Sequence, residues 1–284
     1  MVGPGVPLTD ARWARIEPLL LGRTPKRGGR WRDHREVIDA VAWKFQTGSQ
    51  WGHLPEKYGN WRGVYNRLRM WAADGTWERV FTALMAQADE EGGLDWVVSV
   101  DSTLVRAHQH AAGARKKGPR RASADHGIGR SRGGLTTKIH LAADGRCRPL
   151  TFVLTGGQAN DAPAFTEVMA RLRVPRRRGR PRTRPDVVLA EAYSSRAIRR
   201  HLRGRGIRAV IPVRADQNVH RLRRGSRGGR PPALDREAYK QRNTVERCIN
   251  RLKQWRGIAT RYEKTATIYL AGLHVAGISL WSAR

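Results

Sequence analysis

Cysteine is almost missing from this chain: only Cys147 and Cys248 occur, neither in a CxxC or Cys/His spacing. A disulfide framework and a zinc finger are therefore excluded, and a reducing cytoplasm is the expected compartment. Long hydrophobic runs are missing too. The longest, 268–281, is about 14 residues and contains His274; it is too short to cross a bilayer and reads as a buried helix, so no membrane partner is expected. The first ten residues, MVGPGVPLTD, lack the charged and apolar regions of a signal peptide. Acidic residues are scarce, with 24 Asp and Glu against 55 Lys and Arg and a formal net charge of +31. Solubility needs far less, and self-repulsion costs stability, so a polyanion is the simplest partner and nucleic acid the commonest one.

What is present describes a globular protein. Hydrophobic residues make up 39% of 284, enough for a sizeable core in one large or two modest domains. Seven of the ten tryptophans fall in the first 90 residues: Trp13, Trp31, Trp43, Trp51, Trp61, Trp71 and Trp77. Helical periodicity dominates there, over 11–20 behind the cap Thr9-Asp10, 35–45, 60–71 and 77–85. Most of these tryptophans read as core. Short helices with basic residues between them suggest a helix-turn-helix-like module, with Arg30, Arg32, Arg35, Arg62, Arg67 and Arg69 as candidate phosphate contacts.

After Gly92-Gly93 the period changes. Strand-like runs occupy 94–100, 137–142, 149–154, 186–190 and 208–213, and helices 161–172, 194–203, 236–255 and 265–281. Three strands in succession, then strands alternating with helices, imply an α/β (α+β) fold: a mixed sheet with flanking helices. The expected division is 1–92, a small all-α DNA-binding domain, and 93–284, the sheet domain. Two Arg/Gly/Pro-rich segments, 171–184 and 221–232, read as basic loops. Arg178-Gly179-Arg180-Pro181 resembles the core of a minor-groove AT-hook, whose extended arginines lie in a narrow groove; from a match of only four residues, a solvated loop adding general DNA attraction is the favoured reading.

Few carboxylates stand where catalysis could use them. Asp101 follows the apolar run 96–100 and should sit at the end of a strand, where an uncompensated charge is costly. Tyr239, Arg242, Glu246 and Lys253 would share a stripe of about 60° on a helix over 236–255. Val245, Cys248, Ile249 and Leu252 form a separate apolar stripe that would dock on the sheet. The stripe serves either as ordinary helical salt bridges or as an acid held between cations beside the core. The second would suit phosphodiester chemistry, in which divalent cations held by carboxylates from separate elements activate the nucleophile and stabilise the leaving oxygen. Magnesium prefers oxygen ligands, and Arg242 and Lys253 would hold the DNA backbone nearby. His108 and His110 lack a third ligand at useful spacing, and Ser102 and Thr103 lack a base.

The set Tyr239, Arg242, Glu246, Lys253 resembles the YREK signature of bacterial insertion-sequence transposases with a DDE catalytic domain. The similarity runs over nearly the whole chain. The stretch from GGRWRDHREVIDAVAWKF to RLRMWAADGTWERV looks like the helical DNA-binding domain of small transposases, VDSTLVRAHQHAAGARKKG like the segment bearing the first catalytic Asp, and SRGGLTTKIHLAADGRCRPL and NTVERCINRLKQWRGIATRYEKTA like later blocks. The resemblance implies an RNase H-like catalytic fold and strand transfer on terminal inverted repeats. It implies Asp101, Glu191 and Glu246 as catalytic and metal-binding residues for Mg2+ (or Mn2+). Double-stranded DNA, as transposon ends and target, is the implied partner, with at least a dimer on DNA, no small-molecule substrate and a place at the bacterial nucleoid. One block departs. Where the family reads Leu-Ala-Asp-Lys-Ala-Tyr, this chain reads Leu189-Ala190-Glu191-Ala192-Tyr193, with one residue missing and Glu for Asp. Impaired catalysis follows as an expectation, since a displacement near 1 Å costs about 100-fold. Two other classes fit the charge: a catalytically dead DNA-binding remnant or repressor, and an RNA-binding protein.

Overall fold

The computed structural model describes residues 7–22, 31–113 and 126–283. Its first part is helical: α1 (Asp10–Ile16), α2 (His34–Thr47), α3 (Trp61–Ala73) and α4 (Thr76–Glu90). The Thr9 side chain caps α1, Asp33 caps α2 and Asn60 caps α3, each accepting from backbone N–H groups of the first turn. Helix α1 is shorter than its periodicity suggests. Pro18 lies in a single 3₁₀ turn over Glu17–Leu19 instead of prolonging the helix.

The sheet begins with β1 (Val97–Ala107), followed by α5 (Gln109–Ala112), β2 (Gly129–Ser131), β3 (Gly134–Ala143), β4 (Pro149–Gly156), α6 (Asp161–Arg171), β5 (Val187–Leu189), α7 (Arg196–Gly204), β6 (Arg208–Val210), α8 (Ala215–Arg223), α9 (Arg236–Lys240), α10 (Asn243–Lys253), α11 (Arg256–Ala259), β7 (Thr260–Arg261) and α12 (Ala266–Trp281). Strand β1 is central. It runs antiparallel to β3, which pairs antiparallel with β4 and β2 on its other edge; β5 runs parallel to β1, and β6 parallel to β5. The antiparallel strands β1–β4, followed by the parallel β5 and β6 reached through helices, form an RNase H-like mixed sheet. Residues 171–184 are not featureless: Val174 and Arg182 exchange backbone hydrogen bonds at 2.9 Å, folding the segment back so that Arg178 and Arg180 lie exposed near its tip.

Two boundaries differ from expectation with consequences for the site. Strand β1 continues seven residues beyond Val100, so Asp101 stands mid-strand opposite Leu141. Its second half carries polar groups on both faces and so lacks an apolar signal. The helix expected over 236–255 is two helices. Gln241, Arg242, Thr244 and Val245 each donate to the carbonyl three residues back, and these tighter turns break the 3.6-residue repeat between α9 and α10.

The apolar core is continuous across residues 92 and 93, and α12 is its common element. This helix is apolar all round and packs on α2, α3, α4 and β4. Close approach depends on glycine: a Cβ at Gly277 would meet Phe81 at 2.6 Å, and one at Gly272 would overlap the Phe45 ring. Buried ion pairs Lys44–Glu263 and Arg148–Asp144 are set into this core.

Candidate active site

Strand alternation builds the site. Ser99, Asp101 and Thr103 share the face of β1 on which α10 lies: Ser99 Oγ and Thr244 Oγ1 are 2.9 Å apart, and Lys253 Nζ donates to Thr103 Oγ1 at 2.7 Å. Helix α10 docks through Val245, Cys248, Ile249 and Leu252, the apolar stripe expected of it. This docking brings Arg242 and Glu246 over β1.

The parallel register brings in the third acid. Ser99 pairs with Leu189; Asp101 lies two residues beyond the first, and Glu191 two beyond the second. Position 191 therefore emerges level with Asp101. The missing residue falls after it, so the deletion leaves this register untouched and only the extra methylene of Glu separates the chain from its family pattern here. Tyr193, just beyond, is fully buried against Phe165 with ring centroids 5.2 Å apart.

All three acids meet one cation. Arg242 is 3.4 Å from Asp101 Oδ2, 3.0 Å from Glu191 Oε2 and 2.6 Å from Glu246 Oε1. Burial pushes the Asp101 carboxyl above the usual carboxylate range; the Ser102 N–H and Arg242 oppose this, while Glu246 and Asp161 add to it. Burial alone would lower Arg242, but Glu191, Tyr239 and Glu246 outweigh it and hold the guanidinium above its ordinary value. Tyr239, although on α9, keeps its ring 5.9 Å from Arg242. Burial raises its phenol, with Glu191 the next contributor. Lys253 stands apart from the acids, pinned to β1, and burial lowers its ammonium.

The donor set suits a hard divalent cation in kind, because magnesium takes carboxylate oxygens. As the side chains stand, the acids converge on the guanidinium, and among the described residues no three His, Cys, Asp or Glu side chains are grouped as a ready metal cluster.

On the opposite face of β1 lies a second polar cluster that the sequence reading passed over. Asp161 Oδ1 accepts from Ser102 Oγ at 2.8 Å and Lys138 Nζ at 3.0 Å, and lies 3.7 Å from His140 Nδ1. Asp161 is the first residue of α6, directly after its N-cap position Asn160. The signal available was Thr136, Lys138 and His140, polar residues alternating along one face of β3. Burial lowers His140 to about 4.

The candidate phosphate contacts of the helical region are dispersed. Arg30 lies outside the described residues. Arg32 pairs with Glu36 at 3.0 Å, Arg35 with Asp10 at 2.7 Å, and Arg62 sits 4.9 Å from the Trp61 ring. Arg67 is half-buried, its guanidinium 4.3 Å from the Trp31 ring and 5.3 Å from that of Trp71. Arg69 is exposed.

With fold and site in view, comparison with known proteins defines the class. Residues 92–281 match the family model "Transposase DDE domain", and residues 8–81 match "Putative transposase of IS4/5 family". The chain belongs to the DDE-domain transposases of bacterial insertion sequences. Among relatives, "Uncharacterized protein y4sN" of Sinorhizobium fredii is 38% identical over 38% of this chain and 83% of its own length. The "Putative transposase for insertion sequence element IS6501" of Brucella ovis is 25% identical over 52% of this chain and 98% of its own length. The "Putative transposase for insertion sequence element IS402" of Burkholderia cepacia is 34% identical over 48% of this chain and 58% of its own. No described helix is long and apolar enough to cross a membrane.

Proposed function

We propose that this transposase binds the terminal inverted repeats of its element and cuts and joins DNA with Asp101, Glu191 and Glu246 as its acidic triad. The observation that carries the reading is the convergence of these carboxylates, from β1, the end of β5 and α10, on the single Arg242 guanidinium. Asp101, Glu191 and Glu246 would hold Mg2+ or Mn2+, which supplies activation of the attacking oxygen and stabilisation of the leaving one. Arg242 then serves as a charge-assisted donor to the scissile phosphate, and Lys253, with two of its hydrogen bonds already spent on β1, holds a neighbouring phosphate. The helical region 1–92 is the DNA-recognition unit, with Arg32, Arg62 and Arg67 as candidate contacts, and the exposed Arg178 and Arg180 add backbone attraction.

Glu191 stands in the right register with one methylene too many, so activity is reduced rather than abolished. In a strand-cleavage assay with Mg2+ and duplexes carrying the element's ends, Asp101→Asn and Glu246→Gln abolish nicking, and Glu191→Asp raises it at least tenfold. Equal rates for the chain and Glu191→Asp would refute impairment at 191. Nicking that survives both Asp101→Asn and Glu246→Gln would refute the triad. One observation favours a second reading, a DNA-binding protein without catalysis: all three acids are engaged by the Arg242 guanidinium. Such a protein shifts end-containing DNA in a gel and never nicks it.

A further inference from the structure

Helix α7 carries a cationic groove separate from the acids and from the helical region. Ile198 and Leu202 are buried beneath it and fix its orientation, so its other faces present Arg196, Arg199, Arg200 and Arg203. Two contiguous depressions of about 660 and 710 Å³ run beside it, sharing Arg199, Arg203 and Pro232. The first reaches Ser194, three residues from Glu191. The second passes β6, the edge strand of the sheet, where Arg208 and Arg230 both line it. Neither lining contains an aspartate or glutamate.

The arginines are not used up by the fold. Arg199 is anchored, donating to the carbonyls of Ile211 and Pro212 at 2.7 and 3.3 Å. Arg208 has one loose, exposed partner, Asp235, at 3.7 Å. Arg196, Arg200, Arg203 and Arg230 are exposed, and among the described residues none has an ion-pair partner. Unpaired like charges on one helix repel each other. A row of guanidiniums along an open groove is matched by evenly spaced phosphates, which planar donors bind well. From Arg196 to Arg203 the helix rises about 10 Å, the axial length of about three nucleotides of one strand.

We propose that the α7 groove binds the phosphate backbone of DNA leading away from the acidic site, independently of sequence. The proposal rests on DNA being the partner of this transposase and does not require that this copy cuts it. The two depressions are open to solvent and continue past the edge strand β6, a shape that suits an extended polyanion better than a single small anion.

The test is equilibrium binding of the full chain to a random-sequence 20-base-pair DNA duplex, followed by fluorescence anisotropy from low to moderate salt. Each phosphate contact contributes about 0.9 to the slope of log K against log salt. The triple variant Arg196→Ala/Arg200→Ala/Arg203→Ala should therefore lower the slope by about 3, and Arg230→Ala alone by about 1. The control triple Arg223→Ala/Arg224→Ala/Arg227→Ala removes as many exposed charges outside the groove, and its slope should change by less than 1. An unchanged slope in the α7 triple overturns the proposal, as does an equal loss in the control, which would mark diffuse attraction. An equal or larger loss on an RNA duplex of the same length overturns DNA as the ligand. If the α7 triple unfolds, the single Arg230→Ala result decides. Nicking is read in parallel on end-containing DNA, so a chain that binds as described but never cuts removes the catalytic reading while leaving the groove intact.

Discussion

Arg242 stands where the site needs a positive charge, and Asp101 is the least exposed of the three acids it meets. Because burial raises the Asp101 carboxyl, its ionised form is a net cost to the folded state at neutral pH. The sign follows from linkage: a carboxyl that binds its proton more tightly when folded lowers stability as pH rises from the ordinary aspartate value through the raised one. Asp101→Asn should accordingly melt at a higher temperature than the parent at pH 7. The gap should close as pH falls toward 4, while nicking is lost throughout. A lower melting temperature at pH 7 would mean that Asp101 contributes more through Arg242 than burial costs. Arg242 would still keep Glu191 and Glu246 in that variant.

At the level of elements, helix α2 is tied to the segment before α12 by the buried pair Lys44–Glu263, and Lys44 also lies 4.8 Å from the Phe45 ring and 5.6 Å from that of Trp51. Removing one partner leaves a buried charge uncompensated, which typically costs about 3–5 kcal/mol, whereas replacing both with apolar groups is far milder. Lys44→Met should lose about that much in urea unfolding, and Lys44→Met/Glu263→Leu should recover most of it. A double variant no more stable than the single one would argue against burial as the cause. The elements also show what the sequence could disclose. The apolar stripe of α10 and the order of strands were legible, because periodicity reports which face is buried. The second half of β1 was not, since Asp101, Ser102, Thr103 and Leu104 give no alternation when both faces meet polar or exposed surroundings. The break between α9 and α10 was equally hidden: a tightened turn at Gln241 and Arg242 needs neither Gly nor Pro. Glu191 could be placed in sequence but not in space, because its level beside Asp101 comes from the pairing of β1 with β5. The cluster around Asp161 depends on β3 lying against β1, a contact between residues far apart in the chain.

Across the whole molecule, two buried histidines contribute a response to acid opposite in sign to that of Asp101. His140 and His274 are buried, and burial lowers each to about 4 from an ordinary value of 6.5. Both are neutral when folded and take up protons on unfolding, so the stability they contribute is fully present above about pH 6.5 and is lost as pH falls toward 4. Each adds a slope of about 1.4 kcal/mol per pH unit across that window. Denaturant unfolding at pH 7, 6 and 5 should show this decline, and His274→Leu should remove about half of it; a stability that stays level from pH 6.5 to 5 would rule the mechanism out.

The position of α12 has a consequence for fragments of this protein. Phe45 and Phe81 wait for Gly272 and Gly277, partners roughly two hundred residues further along the chain. A shortened product that stops before residue 266 would carry α2, α3 and α4 with their oily sides bare. Such pieces would clump instead of lingering as competitors for the element's ends, and a cell holding broken copies of the gene would gain little restraint on the intact one.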